Sequence, residues 1–285
     1  MKRTLTIIIL ALIAMTIIPA DLFAQAQIYT RKEKLKDITT KTVKVVMTGD
    51  EILDEALKQS VTSTWTMSPF EFCTQEEFNK IKSDSKFYFL IVVKGQQRKE
   101  SEPGIDLLTM VKGGEGSDKS INDMLEVVTF PLRSAVDPSG REFVLLPAFL
   151  SIMQEHAQGL TSSEVKAYST VGATDSKKLR MKQIYFYEED FSPTLDEKVV
   201  ESLDEDIFVK DDEQEVDDIF TNGTFNAVVS YVVAPTEPVN GSVCYKMLIG
   251  ADDHKLYWYK KHRISARQGA GFLDADLKAI KLLRK

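Results

Sequence analysis

The sequence predicts a mixed α/β protein, with a mixed sheet flanked by helices, a C-terminal antiparallel hairpin and a terminal helix. Three observations carry that expectation. Strand and helix patterns alternate through the first half, and the last third turns to strand patterns. A composition of 43% hydrophobic, 28% charged and 9% aromatic residues demands a buried core and excludes a disordered or collagen-like chain. No self-similarity occurs at the periods of solenoids or propellers.

Residues 1–26 read as a secretory signal peptide: Lys2 and Arg3 precede an apolar run over 5–19 and a small-residue site, Ala24-Gln25-Ala26. The mature chain is then expected to start at Gln27. Residues 27–41, polar and basic, read as a flexible arm, and 42–285 as a single α/β domain. No second stretch is long and apolar enough to cross a bilayer, and the first cysteine, Cys73, is too far from the cleavage site to carry a lipid. The expected address is periplasmic or secreted.

A strand is predicted over 42–47. Asp50 then caps a helix in which Ile52, Leu53, Ala56, Leu57, Ser60, Val61, Thr64 and Trp65 share one face. Pro69 stops it, and Phe70-Glu71-Phe72-Cys73 reads as a short strand. Thr74 and Glu77 match a capping box for a short helix carrying Phe78 and Ile81. Residues 87–93 are nearly all aromatic or β-branched, as in a strand covered on both faces. Residues 105–111 read as a strand, 113–120 as a glycine-rich turn, and 120–128 and 142–158 as helices, with Gly159 closing the second. Residues 183–187, 225–233, 243–249 and 255–259 read as strands, the last two as a hairpin, and Asp274 as the cap of a terminal helix with Leu277, Ile280 and Leu283.

Charge excludes one partner class and leaves others open. A net charge of −7 lacks the positive field that phosphate backbones require, so nucleic-acid binding is not expected. The charge is uneven, however. Twelve acids fall between Asp196 and Asp218, whereas Lys255, Lys260, Lys261, Arg263 and Arg267 follow one another with no acid between them. Lys260, Lys261 and Arg263 are the candidate contact residues of a basic face.

Several chemistries fail on spacing. Gly113-Gly114-Glu115-Gly116-Ser117-Asp118-Lys119-Ser120 follows a strand and ends in Lys-Ser, but a phosphate loop needs glycine where Asp118 stands. Asp252, Asp253, His254 and His262 do not make a metal set, because the two histidines would stand about 26 Å apart at the ends of a straight strand. Asp211-Asp212-Glu213 lacks the order of a calcium loop. Cys73 has His156, His254 and His262 as its only imidazole candidates, none in a recognisable motif. Whether Cys73 and Cys244 pair is not readable from sequence. No catalytic residue, metal ligand or cofactor is named, and the aromatic residues Trp65, Phe70, Phe72, Trp258 and Tyr259 are read as packing groups before a ligand platform.

The stretch Trp65-Thr66-Met67-Ser68-Pro69-Phe70-Glu71-Phe72, with Glu77-Phe78 and Phe87-Tyr88-Phe89-Leu90 after it, resembles uncharacterised exported proteins of Bacteroides-type bacteria. Residues 245–249, Tyr257-Trp258-Tyr259 and 271–277 are similar to the same group. Trp65, Pro69, Phe70 and Phe72 form its structural motif, to which the resemblance attaches no chemical task. The strand-helix-strand opening more remotely resembles the α/β domains of curli-channel (CsgG-like) and TolB N-terminal proteins, which act in envelope assembly and partner binding. This chain lacks their lipid-bearing cysteine and an evident channel-forming hairpin. The combined expectation is an exported, non-enzymatic binding or accessory protein of the bacterial cell envelope, with an envelope protein or surface component as partner. The alternative is a periplasmic or secreted hydrolase using carboxylates that the sequence does not single out.

Overall fold

The β-branched and aromatic runs become two mixed sheets with the same strand order. The structure, a computed structural model, describes residues 30–173 and 175–285, so the expected signal peptide and its cleavage site lie outside the described residues. The first sheet contains β1 (Thr42–Val46), β2 (Phe70–Cys73), β3 (Phe87–Gly95), β4 (Ile105–Lys112) and β5 (Leu125–Ser134), in the order β2-β1-β3-β4-β5. The second contains β6 (Gln183–Tyr187), β7 (Ile207–Lys210), β8 (Ala227–Val233), β9 (Val243–Gly250) and β10 (Leu256–Arg263), in the order β10-β9-β8-β6-β7. In each, the first strand pairs parallel with the second and third, and the last three form an antiparallel meander.

The helices repeat in step. α1 (Arg31–Leu35) precedes the first sheet. α2 (Glu51–Thr64), α3 (Gln75–Ile81) and α4 (Arg141–Leu160) fall after β1, β2 and β5. After the short α5 (Glu164–Ala167), α6 (Glu197–Glu201), α7 (Glu213–Thr221) and α8 (Asp274–Arg284) fall after β6, β7 and β10. The mixed α/β class is the one expected, and the meander ends in the antiparallel pair and terminal helix; the strands, however, divide between two repeated sheets. The repeat is one of topology. Its two halves carry different side chains at matching positions, so no fixed sequence period betrays it.

Layering follows from which faces are apolar. Leu53, Leu57 and Val61 of α2, Leu145, Phe149 and Met153 of α4, and Val216 and Phe220 of α7 share one core with Tyr88, Leu108 and Phe130 of the first sheet and Val229, Tyr231 and Met247 of the second. α3 covers the outer face of the first sheet through Phe78, against Phe89, Ile91 and Val111. The outer face of the second sheet takes Leu277 and Ile280 of α8, with Ile184, Phe186 and Leu248. Thus α7 lies in the shared middle layer, whereas α3, its counterpart, lies outside. The second unit turns toward the first the face that the first turns outward.

Local signals explain the helix starts. Asp50 accepts from the backbone N–H of Ile52 and Leu53, and Thr74 and Glu77 form a reciprocal capping box. The terminal helix begins at Asp274, with Leu273 at its cap position and Asp276 accepting from the Leu273 N–H. Helix α4 runs through Gly159 to Leu160.

Two expectations are corrected. Residues 120–128 do not form a helix: a short turn at Ile121–Asp123 leads into β5. Ile121, Met124, Leu125 and Val128 fall at helical spacing, but register shifts in the β4–β5 pairing disturb the strand's alternation, and Pro131 sits on what is an edge strand. The arm is not loose over its described part either. Leu35 and Ile38 are fully buried, Lys112 donates to the Lys34 carbonyl at 2.6 Å, and Tyr88 and Lys112 both donate to Asp37. Strand β7 was hidden because Ile207-Phe208-Val209 is a short apolar run inside the acidic stretch.

Phe149 links the layers, with its ring 5.1 Å from Phe130 in the first sheet and 5.4 Å from Tyr231 in the second. Phe149→Ala is expected to lower stability by about 3–5 kcal/mol through cavity formation. Urea unfolding followed by fluorescence and circular dichroism should show one earlier transition in both probes; two separated transitions would mean that the sheets do not share a core.

Candidate functional site

The basic residues singled out by sequence do not share a face. Successive strand residues alternate sides, and β10 obeys that rule. Lys260 lies against Asp276 at 3.2 Å and over the Trp258 ring, whereas Lys261 lies over Tyr245 on the other side of the sheet. Arg263, two residues beyond Lys261 on the same strand and opposite Val243, donates to the Gly241 carbonyl at 3.3 Å. Asp276 also pairs with the buried Lys246, and this pairing holds its carboxyl below the usual range against the opposing effect of burial. Lys260 therefore belongs to an ion cluster that fixes α8, and Lys261 to a separate surface.

The tryptophan motif is structural in its geometry. Trp65 is buried and donates from Nε1 to the Ser68 hydroxyl at 3.2 Å. Gln154 of α4 accepts from the Thr66 and Met67 N–H groups at 2.8 and 3.0 Å and donates to the Thr64 carbonyl. Pro69 presents its carbonyl to the Val43 N–H, starting β2 beside β1. Phe70 is half-buried, with Phe72 exposed and edge-on to it at 5.7 Å.

Beside β5 runs a groove of about 560 Å³. Glu126, Val127, Val128, Thr129 and Pro131 of β5 line it, so both faces of this strand border the space. One flank is Leu107 and Thr109 of β4, and the other is Tyr245 of β9 with Tyr259 and Lys261 of β10. Tyr245 and Tyr259 stand 6.3 Å apart, and burial raises both hydroxyl pKa values, keeping the phenols neutral. His156 and the exposed Tyr168 complete one end with Arg31, whose guanidinium donates to the Glu126 carbonyl at 2.5 Å. Burial, reinforced by Arg31, lowers the His156 pKa, so its imidazole is neutral near pH 7.

Tyr245, Arg31 and Tyr168 were not found by sequence reasoning. Parity would have found the first: Tyr259 and Lys261 share one face of a strand, Lys260 takes the other, and Tyr245 is the register partner of Lys261.

The carboxylates whose pKa values are raised lie elsewhere, around the first turn of α4. Arg141 donates to Asp217 at 2.9 Å, to Asp190 at 3.3 Å and to the Ser230 carbonyl at 3.0 Å, with Glu213 at 3.8 Å. Its guanidinium lies between the Tyr187 and Tyr231 rings. Burial raises the pKa values of Asp190, Asp217 and Glu213, opposed by Arg141. The adjoining Glu142 points the other way and accepts from Arg133, which also bonds Asp106 and Asp50. The main concavities of the surface are lined by other residues. This is a paired network inside a junction, with its acids already engaged by Arg141 and the Ser230 hydroxyl.

The remaining motifs resolve into packing. The Gly113 and Gly114 amides donate to the Phe87 and Lys82 carbonyls and so are not turned to a phosphate. Cys73 and Cys244 are both free and buried, and burial pushes the Cys244 thiol up to about 11. His254 stacks on Phe220, and His262 faces the Gly269 carbonyl. Among the described residues, no three histidine, cysteine, aspartate or glutamate side chains gather as a metal would require.

Comparison of the chain with protein-family models, with curated proteins and with solved structures finds no match.

The junction makes a pH prediction. Because the folded pKa of Asp190 is raised, its contribution to stability is fully present below the unfolded value of about 3.9 and is lost as pH rises through the folded value. Asp190→Asn removes that dependence. The stability advantage of wild type over the variant, measured by urea unfolding between pH 3.5 and 8, should be largest at the acid end and shrink with rising pH. An advantage that grows with pH would show that Arg141 instead holds Asp190 ionised throughout.

Proposed function

We propose that the protein is an exported, non-enzymatic binding or accessory protein of the bacterial cell envelope, acting through the groove beside β5. The observation that supports this most directly is the separation of two features. Asp190 and Asp217, whose pKa values burial raises, are enclosed around Arg141, with the half-buried Glu213 beside them and outside the groove. The open groove instead carries Tyr245, Tyr259 and Lys261 beside apolar strand residues, a mixture suited to recognition. A hydrolase would place its perturbed acids in the cleft.

The address follows from the signal pattern of residues 1–26, which implies release to the periplasm or the exterior. Among the described residues no helix is long and apolar enough to cross a membrane. The partner is taken to be an envelope protein or surface component. Lys261 and Arg263 belong to the contact surface, and Lys260 does not.

Affinity capture from the native host's envelope fraction tests this, using the mature chain from Gln27. Wild type and Lys260→Gln, which removes the charge without setting a carboxylate beside Asp276, should recover the same component, whereas Lys261→Glu combined with Tyr259→Ser should recover about tenfold less, a loss near 1.4 kcal/mol. Equal recovery by all three would remove the groove from the functional account, and turnover of an envelope polymer by the purified protein would replace binding with catalysis.

A further inference from the structure

We infer that the groove takes an extended, acidic peptide segment of the partner, which adds as a sixth strand to the free edge of β5; this rests on the binding reading above. β5 is the terminal strand of its sheet, and among the described residues it pairs with β4 alone. Its outward backbone is tied at two points: Arg31 donates to the Glu126 carbonyl, and the Tyr231 hydroxyl donates to the Leu132 carbonyl at 2.8 Å. Between them, residues 127–131 border the groove. An unpaired edge offers amide and carbonyl groups that bind another extended backbone without regard to its sequence, while side chains on alternate sides confer specificity.

Both flanks needed by an added strand are present. On one side the strand would meet Tyr245, Tyr259 and Lys261; on the other it would extend the outer face made by Leu107, Thr109 and Thr129. The topological repeat shows what that outer face lacks. Ile91 pairs with Thr109 and Thr109 with Thr129, while in the second unit Tyr231 pairs with Met247 and Met247 with Tyr259. Tyr231, Met247 and Tyr259 are covered by Phe130 and Phe149 of the first unit and its core. Among the described residues, the matching face of the first unit has no such aromatic layer over Leu107 and Thr129, which stay half-buried beside the buried Thr109.

Charge selects the segment. Lys261 and Arg31 flank the groove against the single carboxylate of Glu126, while the adjoining cavity that shares His156 adds one charge of each sign, Lys166 and Glu155. With His156 neutral, the balance favours carboxylates on the incoming strand. Pro131 offers no N–H, which sets the end of the pairing toward Leu132.

The test uses the mature full-length chain and a terminally blocked hexapeptide of alternating glutamate and valine. Its control is the same peptide N-methylated at alternate amides, which keeps the side chains and removes one row of donors. The plain peptide should slow amide hydrogen exchange within residues 127–130 by about tenfold or more. The methylated peptide should not, and Lys261→Glu should weaken binding of the plain peptide about tenfold at low salt. No protection of β5, or equal protection by both peptides, would overturn strand addition. Protection that rises with protein concentration in the absence of peptide would also overturn it, by assigning the edge to a second copy. Competition separates the two levels of the reading. A captured envelope component that stays bound while the peptide occupies β5 leaves the binding function standing and refutes this mode; peptide addition with no envelope component captured supports the edge as a site and refutes the function.

Discussion

The fold depends on the first turn of α4, where neighbouring side chains point into different halves of the molecule. Arg141 reaches Asp190, Asp217 and Ser230 in the second unit; Glu142 reaches Arg133, and through it Asp106 and Asp50, in the first. Gly140 leads the helix with a positive φ of 96° and offers no side-chain cap, so Glu142 accepts from the Gly140 N–H. One helix start is thereby oriented by two charge networks. Burying so many charges is costly, and replacing a whole buried ion cluster with apolar residues is often neutral or better for stability. What the network adds is direction: removing one member strands its partners in a medium that solvates them poorly, so other alignments of the two units are penalised.

Once that alignment is set, the groove follows from the repeat. Each unit has one face that needs covering beyond what its own short second helix supplies. In the second unit α4 and β5 of the first unit provide the cover, with Phe130 and Phe149 against Tyr259 and Tyr231. Among the described residues the first unit has nothing equivalent over the half-buried Leu107 and Thr129, and its edge strand β5 is left between that face and the tyrosines of β9 and β10. A stack of two units oriented in the same sense has unlike ends. At one end α8 presents Lys278 to solvent, with the exposed Lys285 following it; at the other the sheet keeps an open margin.

Much of the architecture was legible because local rules and tertiary packing agree along α2, α3 and β3. Asp50, the Thr74–Glu77 pair and the apolar run of β3 each sit in the element that propensity assigns them. Reading failed where two patterns compete. Ile121, Met124, Leu125 and Val128 satisfy helical spacing, yet β4 supplies a ladder that a helix there would leave unpaired. Ile207-Phe208-Val209 was masked by acids beyond the strand ends, of which Asp204 and Asp206 pair with Lys281 and Arg284 of α8. The site was less legible than the fold. A linear cluster such as Lys260-Lys261 says nothing about facing until it is known to lie on a strand, and then alternation divides it. Arg31 and Tyr245 are far apart in sequence and meet at the groove only through the stacking of the two units.

The most direct test of the Arg141 junction is a double-mutant cycle read by urea unfolding at pH 7. Arg141→Met alone should cost about 3–5 kcal/mol, because Asp190 and Asp217 lose their cation while buried. In the Arg141→Met, Asp190→Leu double variant, the combined cost should fall short of the sum of the two single costs by about 1–3 kcal/mol. Costs that simply add, or a cost for Arg141→Met within the range of a surface substitution, would show that the two units are aligned by apolar packing alone and that the junction is not what positions the groove.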